Sequence, residues 1–508
     1  MSERPVVLPF DPSGIALDPA RGLSQQLYQA MRARILDGRL SSGTRLPASR
    51  DLARVLVLSR NTVVRAYDQL YAEGFIESRV GDGTYVTQLE KLSTKVSTGL
   101  SLGLSTALST FSSKNTDDLS SEAAGGESLE RLKSNHLPPP RTGAPRAFRV
   151  GIPAFDLFPF DVWGKLQAAF WRNPDPSKLG YGDPAGELEL RELIAAYLRR
   201  SRGLTCSAEQ IVITHGAQQA ISLCAQLLLE KGSCVAVENP GYRAAGHAFA
   251  LAGAQVVGVP VDNEGLDCAV LDTIRHCRLA YVTPAHQYPT GVTMSLPRRL
   301  ALLDWAQRNQ GWVIEDDYDG EYRYSGAPLA PLAALDRGGR VIYVGTFGKV
   351  AFPALRLGYL VLPRPLMEAF SWARALSVRH SEVSTQQVMA QFMIKGYFQQ
   401  HIRRMRRAAL ARRDALLKAW PSDIPGVGAM PVVAAGLHLT LPVEGIARER
   451  ELIEQAEAVG VELSALSSYW LADSPGNDGL RSGLVLGFAA VPEQEIQQAV
   501  ARLRDAWH

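Results

Sequence analysis

From residue 146 onward, short apolar runs recur between helical stretches. They read IVITHG, CVAVENP, LAYVTP, GWVIEDD, VIYVGTF and LGYLVLP, with segments such as SLPRRLALLDWAQRNQ between them. Each run is too short for a helix of its own and ends in a turn-forming residue. Strands joined through helices lie parallel, so the alternation predicts an α/β unit with a largely parallel sheet. From about residue 366 the pattern becomes mostly helical and then ends in shorter strands. This divides the unit into a large part, about 170–365, and a C-terminal small part, about 366–508.

A second texture precedes it. Residues 89–145 are rich in Ser, Thr and Gly and end in three prolines, with few aromatics and no sustained periodicity. Such a stretch buries too little apolar surface to offset its ordering entropy, so a flexible linker is expected there. With 508 residues, two or three domains are expected. The division is an arm over 1–21, a small domain over 22–88, the linker, and a large unit over 146–508. A net charge of +3 confines any nucleic-acid contact to one region of the surface. Cys206, Cys224, Cys234, Cys268 and Cys277 lack C-x-x-C spacing, so neither a disulfide framework nor a metal site is expected. No run approaches the roughly 18 apolar residues of a membrane span, and a soluble cytoplasmic protein is expected.

Within 22–88, LSQQLYQAMRARILDGRL sets Leu27, Met31, Ile35 and Leu36 on one helical face and stops at Gly38. In the following LPASRDLARVLVLSRNTVVRAYDQLYAEGFIESRVGDGTYV, Ser49 is expected to cap a helix carrying Leu52, Ala53 and Leu56. Ser59 is expected to cap a second, with Val63, Ala66, Tyr67 and Leu70 inward, and GDG marks a hairpin turn. The order is helix, turn, helix and wing. Arg60, Asn61 and Thr62 open the second helix, where they would meet base edges in the major groove, with Ser59 before them and Arg65 one turn further on as further DNA contacts. Arg50 would hold a phosphate, and Gly81, Asp82, Gly83 and Thr84 would follow the backbone or minor groove. Nine arginines against six acids give a local surplus of 9 − 6 = +3. This stretch resembles the DNA-binding domain of the GntR family of bacterial regulators.

In the larger unit, YVGTFGKVAFPALRLGYL sets Lys349 between Thr346 and Arg356. A lysine amine forms a Schiff base with an aldehyde cofactor only where its surroundings hold the rest of that cofactor. Thr346 and Arg356 suit a phosphate, and THGAQQA, which follows a strand and opens a helix, offers backbone N–H groups to an anion. VIEDDYDGEY ends a strand in acids able to pair with a pyridinium nitrogen, and Tyr242 in ENPGYRA offers a ring for stacking. Spacing alone does not choose among Asp316, Asp317 and Asp319.

The order of these segments resembles fold-type I pyridoxal-phosphate enzymes, the aspartate aminotransferase superfamily. By that resemblance Lys349 is the Schiff-base lysine, Asp316 the pyridine partner and Tyr318 the hydrogen-bonder to the cofactor's phenolic oxygen. Gly216, Ala217 and Gln218 form the phosphate cup with Thr346 and Arg356. Tyr181 in YGDPAG would reach a neighbouring subunit's phosphate, which implies a dimer. PAHQYPTG departs from the family by placing Tyr288 where an asparagine stands, so that His286, Gln287 or Tyr288 replaces its hydrogen bond or the bond is absent. GLRSGLVLGFAA has Val485 where a carboxylate-binding arginine is expected, with Arg481 upstream as the candidate for an effector carboxylate. The arginines of HIRRMRRAALARRD, residues 401–414, are expected on a solvated or intersubunit helix face.

A GntR-like winged helix joined to an aminotransferase-like unit resembles the MocR/GabR-type transcriptional regulators. The resemblance implies a head-to-tail homodimer that binds operator DNA. It would use pyridoxal 5'-phosphate on Lys349 to sense an amine, an amino acid or the cofactor itself. The other reading is a working aminotransferase carrying a DNA-binding module, and the sequence leaves turnover open.

Overall fold

A computed structural model describes residues 15, 17–18, 22–79, 82–87, 131–133, 140–324, 329–471 and 482–507. Gly81, Arg481 and most of the expected arm and linker lie outside these residues. The first unit comprises helices α1 (Leu23–Leu36), α2 (Ser49–Val55) and α3 (Arg60–Ala72) and the wing strands β1 (Ile76–Arg79) and β2 (Gly83–Val86). The wing pairs antiparallel from Ile76↔Val86 to Arg79↔Gly83. Leu27, Met31, Leu52, Val63, Leu70 and Phe75 are fully buried between these elements. Tyr67 is half-buried and donates its hydroxyl to Pro47 O at 2.9 Å. Ser59 caps α3, its hydroxyl accepting the Thr62 N–H at 3.1 Å. Ser49 does not cap α2. Ala48 holds that place because its carbonyl accepts from the Asp51 and Leu52 N–H groups, which leaves Ser49 as the first helical residue.

The large unit is built on an eight-stranded sheet of β3 (Ile211–Thr214), β4 (Cys234–Asn239), β5 (Gln255–Asp262), β6 (Gly265–Leu266), β7 (Cys277–Val282), β8 (Trp312–Asp317), β9 (Val341–Thr346) and β10 (Gly358–Val361). Their order in space is β3-β10-β9-β8-β7-β4-β5-β6. The run from β9 to β5 is parallel, whereas β10 lies antiparallel to both β3 and β9. The connection over residues 347–357 is too short for a helical crossover, so β10 must double back, and that turn carries Lys349 and Arg356. The carboxyl ends of β3, β4, β7, β8 and β9 face the same way, the usual place for a ligand in an open parallel sheet.

A smaller antiparallel sheet, order β11-β13-β12, comprises β11 (His438–Pro442), β12 (Ser464–Ala465) and β13 (Gly483–Gly487). Its core is shared with helices Ile446–Ala458 and Glu493–Trp507. Phe148 joins this core and bridges to Gly487, so the segment entering the large unit is anchored on the small sheet.

The arginine-rich helix, Tyr397–Ala419, is used more fully than a solvated face would be. Arg406 donates to Glu321 O at 2.8 Å, and buried Arg412 reaches Ala489 O and Asp156. Arg413 donates to Val433 O and lies 4.8 Å from the Tyr324 ring centre. Arg403 and Arg407 remain exposed. The cationic ends of these long side chains satisfy carbonyls at the loop ends around the helix, something charge patterning does not reveal.

Candidate functional site

A cavity of about 230 Å³ opens at the carboxyl ends of the strands. Lys349, Asp316, Tyr318, Tyr242, Gly216, Ala217, Gln218, Thr346, Arg356 and Tyr288 all line it. Lys349 is half-buried in the turn after β9, and its ammonium donates to Gly151 O at 2.7 Å. Gly151 has φ +78°, a conformation that favours glycine, and a Cβ there would lie 2.9 Å from the lysine nitrogen and displace it. Burial lowers the pKa of the lysine, opposed by the charges of Asp319 and Asp316.

The three acids left open by spacing have three different partners. Asp316 faces the cavity. Its Oδ2 accepts from the Tyr281 hydroxyl at 2.7 Å, its buried Oδ1 has no partner, and burial raises its pKa to about 7. Asp317 points to the other side of β8, paired with buried Arg202 and accepting from Tyr343 OH at 2.6 Å. Asp319 pairs with His286 Nδ1 at 2.9 Å and accepts from the Leu437 N–H at 3.3 Å.

At the other end, Gly216 opens helix Ala217–Leu228 with φ +82°, and a Cβ on it would lie 3.6 Å from the Arg356 guanidinium. The first-turn N–H groups and a guanidinium thus converge on one point, an arrangement suited to an oxyanion. Arg356 donates to His215 O at 2.7 Å, and Thr346 Oγ1 accepts the Gly348 N–H at 3.1 Å. Tyr242 precedes helix Arg243–Leu251 and donates to Gln218 Oε1 at 3.2 Å. Burial pushes its phenol up to about 12.

Two expected residues stand elsewhere. His286 does not line the cavity; its ring is held behind Tyr318 and His438, the latter 4.6 Å away between ring centres. Of the three residues open to replace the asparagine, Tyr288 alone faces the cavity, whereas Gln287 turns to Glu238 and Pro240 O. Tyr181 is 88% exposed and lies against His380 rather than in the cavity of its own chain. Val485 is buried at the centre of the small sheet between Thr440 and Ser464. Sequence reading missed Tyr281, Thr283, Val150, Gly151, Leu437 and His438, which line the cavity with Gly348, Pro353 and Leu357 of the Lys349 turn. The missed residues arrive from strands and loops whose pairing one sequence does not show.

On the winged helix, Arg50, Arg60, Asn61, Arg65 and Gly83 are exposed, and Thr84 is half-buried. The Ser59 and Thr62 hydroxyls lie 2.8 Å apart, bonded to each other. Val57, in the turn between α2 and α3, is 90% exposed with φ +53° and was not foreseen.

Residues 149–503 match the family described as aminotransferase class I and II, and residues 23–86 match the bacterial regulatory proteins of the gntR family. Over 488 residues the chain is 34% identical to the probable rhizopine catabolism regulatory protein MocR of Rhizobium meliloti, covering 96% of this chain and 94% of that one. The chain belongs to the MocR-type transcriptional regulators. A second relative of this MocR type, the pyridoxine biosynthesis regulator PdxR of Corynebacterium glutamicum, is 31% identical over 97% of this chain and 98% of its own. The aminotransferase unit of this MocR-type chain superposes on kynurenine aminotransferase of Pyrococcus horikoshii, solved with PMP. The TM-score is 0.64 at 29% identity, over 76% of this chain and 95% of that one. Enzymes of this fold work with pyridoxal phosphate. Among the described residues, no helix is long and apolar enough to cross a membrane.

Proposed function

We propose that the aminotransferase unit of this regulator binds pyridoxal 5'-phosphate on Lys349 and reports an amine, an amino acid or the cofactor itself to the winged helix. The observation that carries this reading is the buried, unpartnered Asp316 Oδ1 in the cavity that holds Lys349. An orphaned acceptor in a buried site is costly unless a ligand supplies the missing donor, and a protonated pyridine nitrogen is such a donor. The Gly216–Gln218 turn and Arg356 would hold the phosphate, and the Tyr242 ring would cover the pyridine face. Tyr318, whose hydroxyl donates to His286 O at 2.9 Å, would turn to the phenolic oxygen. When bound, the cofactor supplies an aldehyde that condenses with a primary amine. Burial favours the neutral, nucleophilic form of Lys349.

Val485 stands where the resemblance expects a carboxylate-binding arginine, which favours sensing over turnover of α-amino acids. Arg60 and Asn61 would read base edges, with Arg50, Arg65 and the wing at Gly83 and Thr84 on the DNA backbone. Ser59 and Thr62 spend their hydroxyls on the helix start and so orient that turn. A second copy would cover exposed Tyr181, Trp171, Leu179 and Leu376 and bring Tyr181 to the neighbouring phosphate cup, in a head-to-tail homodimer acting in the cytoplasm.

The test is absorbance of the purified chain with pyridoxal phosphate and candidate amines, paired with DNA binding. A Schiff-base band that amines shift, absent in Lys349→Ala, together with DNA affinity that follows it, is the expected result. No band, or DNA binding indifferent to it, overturns the reading. Sustained turnover with an amino donor and a 2-oxoacid would favour the enzyme instead.

A further inference from the structure

The winged helix is not free of the large unit. Leu296 and Leu335 complete its apolar core, from helices Leu296–Arg308 and Leu332–Leu335. Arg32 of α1 donates to Ala334 O at 3.1 Å and lies 5.6 Å from the Phe75 ring centre. At the far end of α3, a Cβ on Gly74 would touch Leu296 Cβ at 3.4 Å.

The same two helices are tied to the cavity. Asp316 and Glu315 are neighbours on β8 and point to opposite faces. Behind Asp316, the buried Glu315 carboxylate accepts the first two N–H groups of helix Leu332–Leu335, from Leu332 at 2.7 Å and Ala333 at 2.9 Å. These are orphan donors that the helix cannot satisfy itself. A short helix is therefore held at its start by the residue beside the cavity acid and at its end by the winged helix. A second tie runs through buried Arg299 on helix Leu296–Arg308, which donates to Ala330 O at 2.7 Å and to Pro284 O at 3.0 Å, next to Thr283 of the cavity lining. Glu73, which ends α3, accepts from Tyr28 OH at 2.7 Å. Helix α3 spans about 20 Å. Its Glu73 end sits on the dock and its Arg60 end presents the DNA-reading turn.

We infer that the cofactor site and the winged helix are coupled through this dock, with Glu315 as the positioning residue that carries occupancy at Lys349 and Asp316 to helix Leu332–Leu335 and to α3. This rests on the cofactor reading above. Coupling of this kind is reciprocal: whatever factor the cofactor changes in DNA affinity, DNA changes in cofactor affinity.

The experiment uses the full chain, pyridoxal phosphate and a fluorescent duplex selected by that chain from random sequence. DNA affinity is measured with and without cofactor, and cofactor affinity by absorbance with and without DNA. In the wild type both ratios are expected to agree at about fivefold or more. In Arg32→Ala and Glu315→Gln, the ratios are expected to fall within about twofold of one, while the band at Lys349 and DNA affinity without cofactor persist. Because Glu315→Gln disturbs a buried cap, Arg32→Ala, which removes the contact to Ala334 O, is the independent variant. Variants that keep the wild-type ratio overturn this inference alone. A wild-type ratio of one overturns the sensing reading, and this inference with it.

Discussion

Asp316 accepts a hydrogen bond from Tyr281 at 2.7 Å through one oxygen, while its other oxygen, equally buried, has no partner. Tyr281 fixes the carboxylate plane and leaves the free oxygen aimed at the cavity. Asp316→Asn removes the charge and keeps the shape. A charge-assisted bond is worth about 1.5–3 kcal/mol, so pyridoxal phosphate affinity is expected to fall about 10- to 100-fold, read by absorbance titration.

The same burial makes the cofactor-free protein sensitive to base. Asp316, Glu238 and Glu315 are each raised to about 7, in every case first by burial. The folded chain holds these protons where the unfolded chain has released them. The stabilisation is complete below about pH 4 and is lost as the pH rises through about 7. Melting temperature is expected to fall more steeply, or rise less, from pH 5 to pH 8 in the wild type than in Asp316→Asn. Wild-type and Asp316→Asn curves of the same slope would contradict the assignment.

Ser59 accepts the Thr62 N–H at the start of α3. Ser59→Ala is expected to cost about 1 kcal/mol, seen in chemical denaturation of the winged helix. DNA affinity should weaken with it, because the DNA-reading turn begins at this cap.

Arg60 and Arg50 should separate base reading from backbone attraction. Arg60→Ala is expected to cost about 1–3 kcal/mol and to relax the selected sequence. Arg50→Ala should weaken all duplexes alike and reduce the slope of log affinity against log salt by about one. Both are read from anisotropy titrations at several salt concentrations.

Arg202 is buried against Asp317 and donates to Gly320 O at 2.8 Å. Arg202→Met leaves Asp317 buried without its cation, and a loss of about 3–5 kcal/mol is expected. The double variant with Asp317→Asn should recover much of it, measured by urea denaturation.

Local grammar in the sequence determined the elements that local physics controls. The Ser59 cap, the GDG wing turn, the alternating apolar runs of the sheet and the strand-turn-helix around Gly216 each depend on neighbours a few residues away. So does the Lys349 turn, because a short connection must reverse the chain. Tertiary structure decided what depends on distant partners. Which acid faces the cavity was settled by Arg202 and Tyr343, which draw Asp317 to the opposite face of β8, and by His286, which takes Asp319. Tyr281 and Gly151 reach Lys349 and Asp316 from strands and loops whose pairing only the folded sheet sets. His286 shows the converse, since a motif position gave it a cavity role that the packing of Tyr318 and His438 denies. The dock of the winged helix on Leu296 and Leu335 was invisible for the same reason: surface apolar residues on two short helices carry no mark of what will cover them until the chain has folded.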